Sequence, residues 1–335
     1  MEIKLINIYI LFCCFLSTIT VTIDVSTLEE LKKAIEKARA GQIISIAPGE
    51  YDYSINERMI RFDVFQNGTE SSPITITAKD PNNPPLIKGS GMSVLFIAGN
   101  YWVIENIKIS GASKGIVIEN SNYNIIRNVE VFNVGAQGIV IRGTSLYNLV
   151  ENCHIYNTGR VDPSFGDGLT IGKTIDENRF TFDSNYNIIK GCIFRNITSE
   201  PIKINEYTTG NEIVGNTFFG DEINGRRQAD CFIRISGDNN YIHDNVAHRN
   251  LNKNIIHAFK VEKHVEDSGD GNKFVNNVLF MDSPYGGKNN DKRMYIVDGF
   301  NATFYVKNNI VDYGDGLIQA DNEVFYNSNS VDFLK

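Results

Sequence analysis

Seven segments of the chain can be laid over one another: NYWVIENIKI from Asn100, NYNIIRNVEV from Asn122, LYNLVENCHI from Leu146, NYNIIKGCIF from Asn185, TGNEIVGNTF from Thr209, DNNYIHDNVA from Asp238 and NATFYVKNNI from Asn301. Each carries a short apolar strand, a polar turn that usually holds Asn, and a second short strand. Third strands lie between them: GIVIEN, GIVIRG, GLTIGK, PIKINE, FIRISG and AFKVEK. Strands this short cannot bury an apolar face alone, so neighbouring units must stack. Three strands in each unit of about 22 to 39 residues suit a coil resting on its predecessor at about 4.8 Å. The expected fold is all-β, a single-stranded right-handed parallel β-helix. A leucine-rich repeat would show a leucine spacing that is absent here, and a propeller would show four strands per unit.

Stacked coils place equivalent turn residues above one another. Asn106, Asn128, Asn152, Asn216, Asn245 and Asn277 are therefore expected to form an internal ladder, each amide satisfying the next. Ahead of the repeat, Thr27 and Glu30 have the spacing of a capping box. Leu28, Leu31, Ile35 and Ala38 form one apolar helical stripe, which Gly41 is expected to stop. This helix, about residues 27–40, is read as a lid over the open end of the stack, where unpaired strand edges invite aggregation. The coils are expected over about 42–327, within a single domain of 22–335.

The first 21 residues combine one lysine with a short uncharged apolar run, the pattern of a secretory signal cut near Thr18 to Thr22. A retained membrane anchor is the alternative, and the run is short for a bilayer. No later segment is apolar enough to span, so a secreted, extracellular monomer is expected. Sequons at Asn67, Asn196 and Asn301 fit a glycoprotein. Once the signal is removed, Cys153, Cys192 and Cys231 remain, too few for a disulfide framework. Cys153 and Cys192 occupy equivalent slots, as small core residues or as a rung-to-rung disulfide. A formal charge of −8 argues against nucleic acid as partner. An acidic polymer would need a local basic patch.

The third strands supply one. Their apolar residues point inward, so the residues between them point out. Thr170, Lys203, Arg234 and Lys260 then share one outward column, and Gly172, Asn205, Ser236 and Glu262 the column beside it. Three cations about 5 Å apart repel by roughly 3 kcal/mol per adjacent pair at an effective dielectric of about 20. Either nearby carboxylates such as Glu200, Glu206 and Glu262 offset this, or a polyanionic ligand does.

The opening helix followed by GQIISIAPGEY, with the N-x-I-x-x-N turns, resembles the pectate-lyase-like superfamily across roughly residues 24–325. The trio GDGLTIG, EPIKINEYTTG and ADCFIRISG is similar to a subgroup of secreted lyase-like β-helix proteins. That resemblance implies an acidic, uronic-acid-containing polysaccharide as partner and β-elimination as reaction. Elimination needs a neutraliser for the uronate carboxylate, a base for the C5 proton and a donor to the leaving oxygen. Lys203 is the candidate base, its pKa lowered by adjacent cations. Arg234 is the candidate carboxylate clamp, and Lys260 is able to share either role. Asn205, Glu206, Ser236, Glu262 and Tyr207 are candidate substrate-binding residues. His257 and His264 bracket Lys260 as alternative bases.

The family pattern also offers Ca²⁺ as the neutraliser. Its second and third rungs usually read Asp-x-Lys where this chain has Lys203-Ile-Asn205 and Arg234-Ile-Ser236. Asp167, Glu200 and Asp230 remain as acidic metal candidates, without an evident cage. Phe165, Tyr285 and Tyr295 are further aromatic candidates for sugar stacking, and Asp282 to Met294 reads as a loop over the groove. The departures leave two other functions open on the same scaffold: a non-catalytic glycan-binding or cell-surface protein, and a glycoside hydrolase, which would need paired acids.

Overall fold

The computed structural model describes residues 21–54, 61–172, 184–263, 265–282, 293–299, 302–312 and 317–320. The signal segment, Asn301, His264, Tyr285 and most of the Asp282 to Met294 loop lie outside the described residues, as does the side chain of Tyr295. Among the described residues, no helix is long and apolar enough to cross a membrane.

The described strands form three stacked sheets of 11, 11 and 9 strands. Within each sheet the neighbours are one coil apart in sequence and parallel, save a closing antiparallel pair, Asn309–Asp312 with Leu317–Ala320. The chain is a parallel β-helix, and its core is a column of side chains from all three walls. Ile126, Ile155, Ile171, Ile189, Ile204, Ile213, Ile235 and Val261 are all fully buried. Alternation forces this: in Ile202–Ile204, as in Ile233–Ile235, the two isoleucines turn in and the residue between them turns out.

The helix Leu28–Glu36 buries Leu31, Ala34 and Ile35 over the first strands of the stack. Its capping box is present: Glu30 N–H donates to Thr27 Oγ1 at 3.2 Å, and Thr27 N–H donates to Glu30 Oε2 at 3.2 Å. The helix ends at Glu36, with Lys37 as its C-cap, sooner than the expected boundary at Gly41. Gly41, at φ +80°, serves the next turn instead, donating its N–H to Ser72 O at 3.0 Å.

The asparagine ladder differs from the expected one. Asn216, Asn245, Asn277 and Asn309 do stack in the buried interior, the Nδ2 of each of the first three donating to the Oδ1 above at 2.8–3.0 Å. Asn106, Asn128 and Asn152 stand one position earlier in the turn, in left-handed backbone at φ 52–55°, where Asn is tolerated because its side chain is short and polar. In the lower coils the buried slot holds Ile107, Val129, Cys153 and Cys192. The two cysteines are free thiols.

A second ladder, Asn124, Asn148, Asn187, Asn211, Asn240 and Asn272, lies at the start of the first strand of each coil, with Nδ2 to Oδ1 distances of 2.9–3.1 Å. Its signal was the Asn two residues before the inward apolar residue in NYNII, LYNLV, TGNEI and DNNYI. Asn245→Ala would remove the oxygen that accepts from Asn216 N–H and Nδ2, and the amide that donates to Asn277 Oδ1 and Ile213 O, all in the interior. The expected loss is about 3 kcal/mol in denaturant unfolding. Asn128→Gly, exposed and already at φ 52°, should cost no more than about 0.5 kcal/mol.

Candidate functional site

The nine-stranded sheet carries the charged column in unbroken register. Thr170 pairs with Lys203, Lys203 with Arg234, and Arg234 with Lys260. Gly172, Asn205, Ser236 and Glu262 follow two residues on. Below Thr170 the outward column becomes Val140 and Val117, both buried. The polar patch is therefore confined to four coils, roughly 14 Å along the axis.

On the other side of this column, at the entry to each strand, stand Asp167, Glu200, Cys231 and His257. Their stacking follows from the register two residues on and from backbone bonds such as Gly168 N–H to Glu200 O at 3.0 Å.

The cations do not form a bare positive wall. Arg234 is only 7% exposed in its side chain, and its Nη2 is ion-paired with Glu200. Its Nη1 donates to Glu262 Oε1 at 2.9 Å, and Lys260 Nζ lies 3.3 Å from the same oxygen. Arg227 O accepts from Arg234 Nη2 at 3.4 Å, and the Arg227 guanidinium sits 3.8 Å over the Phe165 ring. The two short 3₁₀ turns that carry these residues thus meet beside the arginine. Carboxylates from neighbouring rungs offset the expected repulsion.

Lys203 differs from both. It is half-buried, and among the described residues it makes no ion pair. Of the three cations in the column, it alone makes no ion pair among the described residues.

The protonation states follow from this geometry. Burial pushes the Lys260 ammonium down, but Asp230 and Glu262 more than offset it, and the net direction is up. Lys260 is therefore held in its charged form. Burial alone would lower Arg234; Glu200 and Glu262 reverse that and raise it. Glu200 is pushed up to about 7, first by burial and then by the Asp167 carboxylate, against the pull of Arg234. Asp230 is also raised, chiefly by burial.

A carboxyl whose folded pKa exceeds its unfolded value stabilises the fold while protonated, and that contribution fades as pH rises through the folded value. Stability contributed by Glu200 should therefore fall between pH 4.5 and about 7, by at most about 3 kcal/mol. Thermal unfolding of the wild type against Glu200→Gln across that range should show the wild type losing relative stability as pH rises.

The remaining candidates are placed as follows. Asn205 and Ser236 are each 2% exposed, and Asn205 Nδ2 donates to Gly172 O at 3.2 Å. They hold the strand exit rather than an open surface. Glu206 is buried, and among the described residues its Oε2 has no hydrogen-bond partner. Glu262 is committed to Arg234 and Lys260. Tyr207 is 38% exposed on a left-handed turn, its N–H donating to Ser268 Oγ at 3.1 Å. Asp167 is buried and accepts from Thr170 Oγ1 at 3.1 Å.

Among the described residues, no three His, Cys, Asp or Glu groups converge as a metal-holding set. Calcium needs several converging oxygens. Here Asp230, Glu200 and Glu262 are interleaved with Arg234 and Lys260, which already supply the positive charge. Asp167, Glu200 and Asp230 do not fit a Ca²⁺ cage.

Residues 20–169 match the model of the Pel9A-like right-handed β-helix region. That segment ends before Lys203, so the match concerns the scaffold. Among solved structures, the alginate lyase from Paenibacillus sp. str. FPU-7 is 29% identical, covering 89% of this chain and 96% of its own, with a TM-score of 0.81. The pectate lyase Pel9A is 17% identical over 83% of this chain and 69% of its own, with a TM-score of 0.59. A rhamnogalacturonan lyase is 16% identical over 76% and 69%, with a TM-score of 0.57. The latter two likenesses concern the fold alone. No curated protein matches the chain. By its stacked sheets and the match of its first half, the chain has the pectate-lyase-like right-handed parallel β-helix fold, a fold it shares with polysaccharide lyases.

Proposed function

We propose that this protein is an extracellular polysaccharide lyase that cleaves a uronic-acid polymer, alginate in the first instance, by β-elimination on the outer face of the nine-stranded sheet. One observation carries the reading: Lys203 is half-buried and free of an ion pair among the described residues, directly beneath the buried Arg234. The similarity to an alginate lyase along nearly the whole of both chains supports the choice of substrate class.

Lys203 Nζ takes the proton from C5 of the uronate. The electron pair left on C5 becomes the C4–C5 double bond, the C4–O bond breaks, and the leaving oxygen takes its proton from water. Charge developing on the carboxylate is met by Arg234, held through its Nη1 by Glu262 and so needing little reorganisation.

The test is ultraviolet absorbance of unsaturated chain ends, with alginate, pectate and a glycosaminoglycan each offered with a calcium chelator present. The expected result is turnover of alginate that survives chelation. Glycan binding without turnover of any of the three would assign the scaffold to a non-catalytic binder instead.

A further inference from the structure

We infer that Glu200 stands in for the substrate carboxylate: it holds the Arg234 guanidinium until a uronate carboxylate takes its place, and it takes up a proton as it lets go. The inference rests on uronate binding at Lys203 and Arg234.

Arg234 holds two carboxylates, and they are not equivalent. Glu262, on Nη1, is also held by Lys260 at 3.3 Å. Glu200, on Nη2, has no second cation in ion-pair contact among the described residues; it sits one coil above Asp167, another buried carboxyl. The groups facing Glu200 are Asp167 from the coil below, Lys203 from its own strand, Arg234 and Cys231 from the coil above, and the Ser199 hydroxyl, which donates to Glu200 Oε2 at 2.6 Å.

A third negative charge brought beside Asp167 and Glu200 would be poorly compensated in so buried a place. Protonation of Glu200 removes the difficulty. One ion pair breaks, one forms, and one solvent proton bonds to the Glu200 carboxyl, so the buried charge is unchanged. The upward displacement of this carboxyl by burial and Asp167 is consistent with the exchange, and the half-buried Lys203 on the same strand offers the arriving carboxylate its first contact.

Calorimetry tests this with a short mannuronate–guluronate oligosaccharide titrated into Lys203→Arg, which keeps the charge and lacks the base. Titrations at pH 8 in phosphate and in Tris separate proton uptake from binding heat. The expected result is uptake approaching one proton per oligosaccharide, with affinity rising by up to about tenfold per pH unit lowered. Glu200→Gln should bind with the same enthalpy in both buffers and with an affinity independent of pH. Asp167→Asn, which removes the like-charged neighbour, should reduce the uptake and serves should the Gln variant not fold. Equal enthalpies in the two buffers for Lys203→Arg, or uptake that persists without Glu200, would overturn the exchange and leave the lyase reading standing. Absence of binding in both the wild type and Lys203→Arg would overturn the lyase reading itself.

Discussion

Lys203→Ala should lower the rate of elimination by about 10²- to 10⁴-fold, the range for losing a positioned base. It should leave the unfolding free energy within about 1 kcal/mol of the wild type, because the side chain is half-buried and, among the described residues, ion-pairs with nothing. Lys203→Arg separates the two roles of the lysine. Arginine keeps the positive charge and cannot be deprotonated in a protein. If Lys203 is the base, the Arg variant binds the polymer and is as slow as the Ala variant; substantial activity in Lys203→Arg would reduce Lys203 to an electrostatic contact. Steady-state rates and equilibrium binding on the same preparations decide between these outcomes.

The second large effect is on the fold. Arg234→Met should destabilise the protein by about 3–5 kcal/mol, the usual penalty when a buried ion pair loses one partner and the other is left charged. Glu200 and Glu262, both in contact with the guanidinium, would be the stranded groups. The loss should be greater at pH 8 than at pH 5, because Glu200, with its carboxyl at about 7, can be neutralised at the lower pH. Combining Arg234→Met with Glu200→Gln and Glu262→Gln should recover much of the stability, a non-additivity expected of residues in one network. Denaturant unfolding of the single and triple variants at both pH values measures it. A single variant as stable as the wild type would mean that the buried network contributes little to the fold.

What could be read beforehand divides along physical lines. The vertical register of Thr170, Lys203, Arg234 and Lys260 was legible because each sits between two residues that must face the core, such as Ile202 and Ile204 or Phe259 and Val261. A slip by one residue would turn those apolar side chains outward. Partner choice was not legible. Glu200 lies three residues from Lys203 on its own coil, yet its carboxylate reaches the arginine one coil above. A long, flexible side chain picks its partner by reach and burial, and strand alternation encodes neither. A count of the cations in the column likewise leaves out Asp230 and Glu262, which stand beside Lys260. The asparagine ladder shows a subtler limit. Asn106 and Asn216 look equivalent in a repeat of varying length, but one occupies a left-handed turn and the other the adjacent buried slot. A shift of one residue in a turn changes its role without changing the letter.

The chemistry at Lys203 is most directly tested by the mass of the new non-reducing ends released from alginate. Elimination predicts fragments carrying a C4–C5 double bond, each lighter by one water than its hydrolytic counterpart, and predicts that they vanish in Lys203→Ala. Saturated, water-added ends, or unsaturated ends released equally well without Lys203, would contradict the account.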